Sequence, residues 1–160
     1  MNKFQQSLEW ILNKLKAAGA VSLMGMTLLT CADVVGRYLG HPILGSIEIV
    51  GFLATLTAAL SLPYTHKMKG HIGVDLFVQK FSHQTQRIID IFTGIFSFLL
   101  FAVVTWRMAV YAYTIQKSGE VSMNLQLPEY IVIYIVAFSF LVFSLQILQD
   151  VIQNINTKRN

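Results

Sequence analysis

Four stretches of the chain contain no Asp, Glu, Lys or Arg, and each is long enough to enter a membrane as a helix. A helix needs about 20 mostly apolar residues to cross a hydrocarbon core of about 30 Å. A shorter stretch can be extended, because flanking charged side chains reach the interface with their tips. We therefore predict four transmembrane helices, at about residues 17–38, 46–64, 88–113 and 128–152. The charge-free stretches themselves are residues 17–32, 49–66, 91–106 and 130–149.

The composition agrees with a membrane protein and argues against other classes. The chain is 54% hydrophobic and 12% charged, whereas soluble domains are about 45–50% apolar and about 25% charged. A net charge of +4 on so apolar a chain fits membrane flanks better than nucleic-acid binding. The period-two alternation of a β-barrel is absent from the sequence. The predicted fold class is an all-α membrane protein, with residues 1–160 in a single membrane domain.

The distribution of Lys and Arg predicts the orientation of the chain in the membrane. Nine of these twelve residues lie in the N-terminal segment, the middle connection and the C-terminal tail. Basic residues accumulate on the cytoplasmic side of a membrane protein, so we expect both termini in the cytoplasm. The three basic residues on the other side are Arg37, Arg107 and Lys117.

The first 16 residues have an amphipathic pattern of their own. Their apolar residues recur at helical spacing, and Lys, Gln and Asn fill the opposite side; the apolar stripe is Phe4, Leu8, Ile11, Leu12 and Leu15. Such a stripe predicts a helix over residues 1–16 that lies in the inner interface. The alternative is that these residues are simply the start of the first transmembrane helix.

Two prolines suggest where helices end and begin. We expect Pro63 to close the second helix, since proline lacks the N–H group that a helix interior requires. Pro128, followed by Glu129, suits the first turn of the fourth helix, where a fixed φ and a nearby acid are both favourable.

The predicted helices lack the residues that redox or ion-transport chemistry requires. Haem ligation needs histidines inside the bundle, but the four histidines lie at or beyond the predicted helix ends. Cys31 is the sole cysteine, so thiol–quinone chemistry has no cysteine pair. A proton-coupled exporter needs an ionisable group near the middle of the membrane, and none of the four helices supplies one. We therefore predict no catalytic, cofactor-binding or metal-binding residue, and no enzyme.

Four charged residues belong to the predicted periplasmic end of the bundle. Asp33 and Arg37 are four residues apart and can meet on one side of a helix, while Glu48 starts the second helix and Arg107 lies near the outer end of the third. We expect Arg37 or Arg107 to lie within ion-pair reach of Asp33 or Glu48. The alternative is that each side chain reaches interfacial water separately.

Two further sets of residues are structural or interface candidates. His71 and Asp75 are also four residues apart, and we expect a local hydrogen-bonded pair there rather than a metal site, which would need more ligands. Small residues on the first two helices, including Gly25 and Ala58, allow close helix packing in lipid. They could contact another subunit or pack only within the bundle.

Several short segments resemble one transporter family when their order and spacing are taken together. Residues 33–38 read Asp-Val-Val-Gly-Arg-Tyr, and residues 45–48 read Gly-Ser-Ile-Glu after Pro42. Residues 71–76 read His-Ile-Gly-Val-Asp-Leu, and residues 125–128 read Leu-Gln-Leu-Pro. Over essentially its whole length the chain resembles the small, Q-type membrane subunit of tripartite ATP-independent periplasmic (TRAP) transporters.

This resemblance implies a bacterial inner-membrane scaffold subunit without cofactors. Its partners would be a large membrane subunit, held in a stable heterodimer, and a periplasmic substrate-binding protein, bound transiently. The large subunit would move an organic acid, of the C4-dicarboxylate or sialic acid type, together with sodium ions. Two alternatives stay open: a four-helix membrane anchor of a redox enzyme, and a small homodimeric exporter.

Overall fold

The computed structural model describes residues 3–68 and 83–156, and within these ranges the chain forms four helices. They are α1 (Lys3–Tyr38), α2 (Ser46–Lys67), α3 (His83–Ser118) and α4 (Glu129–Asn156). Each is long and apolar enough to cross a membrane, which confirms the prediction of an all-helical chain with four candidate spans. At 1.5 Å per residue, α1 and α3 are each about 54 Å long and exceed the hydrocarbon core.

The helices pair into two hairpins that meet along α2 and α4. α1 packs against α2, and α3 packs against α4, while a smaller contact joins α1 to α4. We call the end that holds Glu9, Lys67 and Asp150 the termini end, and the end that holds Asp33 and Glu48 the loop end. α4 is the most buried of the four spans, whereas the apolar stretch of α3 has no buried residue. α3 is therefore the peripheral helix, and α4 is the central one.

The apolar core lies in the half of the bundle nearer the termini end. One cluster joins α1, α2 and α4 through Leu8, Leu12, Leu15, Leu60 and Val142. The second joins α4 to α2 and α3 through Phe143, Ile147 and Val151, against which Leu62, Phe98 and Phe101 pack. Because both clusters include α4, this helix links the two hairpins.

The N-terminal apolar stripe packs against α2 and α4. α1 is continuous from Lys3 to Tyr38, and Leu8, Leu12 and Leu15 are buried against Leu60 of α2 and Val142 of α4. The burial of these leucines removes apolar surface from water and lipid headgroups. Residues 3–16 are thus continuous with the rest of α1, and the position of this segment in the inner interface stays a prediction.

The expected end of the second helix at Pro63 is wrong, since α2 continues to Lys67 with the buried Pro63 inside it. α4 begins at Glu129, and Pro128 is the residue just before it, whose carbonyl accepts a hydrogen bond from the Ile131 amide at 3.4 Å. His71 and Asp75 lie outside the described residues.

Candidate functional site

A buried carboxylate, Asp33, joins the end of α1 to the loop that follows it. Its Oδ2 accepts a hydrogen bond from Arg37 Nε at 2.8 Å, and its Oδ1 accepts one from the Ile43 backbone amide at 3.0 Å. Asp33 is 8% exposed, so both oxygens are engaged where water is scarce. The ion pair expected between Arg37 and an acid is present, and the same acid also holds the α1–α2 loop.

A second carboxylate, Glu48 at the start of α2, holds the loop between α3 and α4. Its Oε2 accepts hydrogen bonds from Ser122 Oγ at 2.9 Å and from the Leu125 amide at 3.1 Å. Its Oε1 accepts two from Asn124, from the backbone amide at 2.7 Å and from Nδ2 at 3.0 Å. Four donors on one carboxylate form a strong, directional contact between the two hairpins.

The loop that Glu48 holds has a defined backbone shape. The Ser122 amide donates to the Leu127 carbonyl at 3.0 Å, and Ser122 Oγ accepts from the Leu127 amide at 3.1 Å. Gln126 has a φ of 52°, a conformation uncommon for residues other than glycine. These contacts close the loop on itself and aim its amides at Glu48.

A glycine is required at position 45, where the loop between α1 and α2 contacts the loop between α3 and α4. Its φ is 76°, and a Cβ atom there would overlap the side chain of Leu125. Glycine reaches a positive φ without steric cost, and the missing side chain leaves room for Leu125. The two loops therefore interlock beside Glu48.

A hydrogen bond in the middle of the bundle joins α4 to α2. Ser139, which is fully buried, donates from its Oγ to the Ala59 carbonyl at 2.6 Å. Ala59 lies four residues before Pro63, whose ring nitrogen has no hydrogen to give to that carbonyl. In lipid the orphaned carbonyl must find a partner inside the protein, and Ser139 supplies it.

At the termini end, polar contacts join α2 to both α1 and α4. Asp150 of α4 lies 3.2 Å from His66 Nε2 and accepts a hydrogen bond from Gln146 at 3.2 Å. Lys67 Nζ pairs with Glu9 Oε1 at 2.9 Å. Polar contacts thus join α2 to the α3–α4 hairpin at the loop end, in the middle and at the termini end.

The remaining candidate residues lie apart from these contacts. Arg107 is exposed and forms no ion pair within the described ranges. Gly25 faces α2, since a Cβ there would lie 3.7 Å from Leu53 Cδ1. Ala58 is exposed on α2, on the same side as Gly51, which has open space around it.

Sequence reasoning missed the partners of Glu48 and of Ala59. Ser122 is 74 residues from Glu48, and Ser139 is 80 residues from Ala59, so no local pattern links them. Pro63 inside an apolar stretch was the available signal, because a proline within a helix leaves the carbonyl four residues earlier without its backbone hydrogen-bond donor. No group of three or more His, Cys, Asp or Glu in the described ranges could hold a metal ion. The polar contacts described above join helices to one another.

A family model of known proteins matches most of the chain. Residues 26–157 match the family model described as "Tripartite ATP-independent periplasmic transporters, DctQ component". No individual curated protein matches the chain. The matched region begins within α1 and includes α2, α3 and α4.

Proposed function

Because the chain belongs to the DctQ component family of tripartite ATP-independent periplasmic transporters, we propose that it is the stationary brace of its transporter. The family makes it a small membrane subunit, and its four apolar helices indicate a multi-pass inner-membrane protein. In the proposed assembly it forms a stable heterodimer with a large membrane subunit. That subunit takes up an organic acid with sodium ions, and a periplasmic binding protein delivers the substrate.

The observation that carries this proposal is the set of polar contacts between the two hairpins. Glu48, Ser139 and His66 join α2 to the α3–α4 hairpin at three heights in the bundle. A brace must keep its shape while a neighbouring subunit moves, and directional contacts resist sliding better than apolar packing alone. An ionisable residue near the middle of a bundle would instead suggest an ion path.

The exposed face of α2 is the proposed contact with the large subunit. Gly51, Ala54 and Ala58 are exposed at spacings of three and four residues, so they share one side of the helix. Small residues let two helices approach closely in lipid. Gly25 is not retained as an interface residue, because it packs against Leu53 within the bundle.

The proposed orientation has both termini in the cytoplasm. α1 and α2 are antiparallel, and the contacts from α2 to Glu9 and Asp150 bring the two terminal segments to one end. The positive-inside rule supports a cytoplasmic termini end, since nine of the twelve Lys and Arg residues belong to the segments on that side. The loop end would then face the periplasm and the binding protein.

Uptake by reconstituted vesicles tests the function. Vesicles holding this chain, the large subunit and the binding protein should accumulate a radiolabelled organic acid, and collapse of the sodium gradient should stop uptake. Vesicles that lack any one component should show no uptake. Accumulation by this chain alone would overturn the proposal.

Co-purification tests the proposed interface. Ala58→Leu places a bulky side chain on the exposed face of α2 and should lower recovery of the large subunit at least about tenfold, the effect of about 1.4 kcal/mol. Ala32→Leu is the matched control, since Ala32 is exposed on α1, and it should leave recovery unchanged. Equal recovery with both variants would contradict the assignment of this face.

A further inference from the structure

Lys16 of α1 and Tyr64 of α2 form a pair of hydrogen-bond donors at the termini end. The Lys16 ammonium lies 4.2 Å from the centre of the Tyr64 ring, within cation–π range. Lys16 forms no ion pair with the described residues, and the Tyr64 hydroxyl forms no hydrogen bond with them. An ammonium has three donors, so contact with one ring face leaves donor capacity for another group.

The charges around this pair leave it positive. Glu9 is the acid that α1 contributes at this end, and Lys67 of α2 neutralises it at 2.9 Å. Asp150 of α4 lies 3.2 Å from His66 Nε2, a contact that is an ion pair when the imidazole is protonated. Lys14 adds a further exposed cation, 5.6 Å from the centre of the Trp10 ring. At the termini end, the acids in the described parts of these three elements are Glu9 and Asp150, and each already has a partner.

The position of Lys16 along α1 sets the kind of anion. It is the last charged residue before the charge-free stretch 17–32, so its ammonium lies at the boundary between hydrocarbon and headgroups. We propose that Lys16 and Tyr64 bind the phosphate of an anionic phospholipid, with the acyl chains against the exposed apolar surface of α1. This site goes beyond the proposed brace function, because it exists in this chain with or without the large subunit.

Lipid-dependent thermal stability of the purified full-length chain tests the site. A headgroup held by two helices binds the folded bundle and not the separated helices, so it stabilises by mass action. Micelles doped with phosphatidylglycerol should raise Tm by about 3 °C or more over micelles doped equally with phosphatidylcholine. Lys16→Gln should remove at least half of this difference, and Lys16→Arg should keep it.

Lys117 provides a matched control within the same chain. Its ammonium lies 4.7 Å from the Tyr113 ring, but both residues are on α3, so a lipid bound there gains nothing from the packing of two helices. Lys117→Gln should keep the full phosphatidylglycerol difference. Inorganic phosphate in phosphatidylcholine micelles should produce no rise in Tm, which separates a lipid site from a free-phosphate site.

The decisive comparison is the difference between lipids, not the absolute Tm. If Lys16→Gln does not fold, Tyr64→Phe, which removes only the hydroxyl, should reduce the difference instead. The proposal is overturned if these variants keep the full difference, if Lys117→Gln loses as much as Lys16→Gln, or if inorganic phosphate stabilises equally.

Discussion

Replacing Ser139 by alanine should destabilise the bundle more than the same replacement at another buried serine. The Ser139 hydroxyl donates to the Ala59 carbonyl at 2.6 Å in a fully buried position. Pro63 cannot donate to that carbonyl, so the substitution leaves it without the donor that Ser139 supplies, and lipid supplies no other.

The magnitude follows from two known costs. Interhelical hydrogen bonds in membrane proteins average about 0.6 kcal/mol and reach about 1.7, while an unsatisfied buried acceptor costs about 1–3 kcal/mol. We expect Ser139→Ala to lower the free energy of unfolding by about 1–2 kcal/mol, toward the upper part of the membrane range, because Ala59 loses its only donor from α4.

Ser144→Ala is the matched control on the same helix. Ser144 is also buried, but its hydroxyl donates to the Leu141 carbonyl of α4 itself at 2.8 Å. That carbonyl is within the helix interior and can accept the backbone bond of the following turn. Ser144→Ala should therefore cost under about 0.5 kcal/mol, in the range of substitutions that break no critical contact.

A double-mutant cycle with Pro63→Ala isolates the mechanism. Alanine at position 63 restores an N–H group that can donate to the Ala59 carbonyl within α2, so Ser139→Ala should cost about 1 kcal/mol less in that background. Equilibrium unfolding in mixed micelles, followed by circular dichroism, measures each free energy. The reasoning is refuted if Ser139→Ala costs no more than Ser144→Ala, or if its cost is the same with and without Pro63.

Three further predictions concern the loop end. Gly45→Ala should lower the free energy of unfolding by about 1–3 kcal/mol, since the new Cβ meets Leu125 at a positive φ. Adding Leu125→Ala should recover part of that loss, as measured by thermal unfolding. No recovery would argue against the clash. Glu48→Gln should speed hydrogen exchange of the Leu125 amide about fivefold or more, which is the effect of losing about 1 kcal/mol of local stability. An unchanged exchange rate would contradict the role of the carboxylate. Asp33→Ala should lower the free energy of unfolding by about 1–2 kcal/mol, and Arg37→Ala should lower it by under about 1 kcal/mol. The half-exposed arginine contributes only an ion pair, whereas the aspartate also accepts a hydrogen bond from a backbone amide. Equal losses in chemical unfolding would show that the amide contact is negligible.

The candidate site was only partly accessible to prediction. The Asp33–Arg37 pair follows from a spacing of four residues on one helix, so a local rule was sufficient. For Glu48 the sequence predicts only that it or Asp33 pairs with Arg37 or Arg107. The structure gives it Ser122, Asn124 and Leu125 of a distant loop instead. Loop amides carry no charge and no sequence signature, so their convergence on one carboxylate depends on how the hairpins pack.

The number and approximate position of the four candidate spans in the described residues were determined by the sequence alone, because the exclusion of charge from hydrocarbon acts residue by residue along the chain. Tertiary structure decided what each helix faces. The stripe around Leu12 could have met lipid headgroups or protein, and the burial of Leu12 against α2 and α4 decided the question. Pro63 could have ended α2, but a hydroxyl from α4 completes its missing hydrogen bond and the helix continues. Such outcomes depend on partners dozens of residues away, which only the folded bundle brings together.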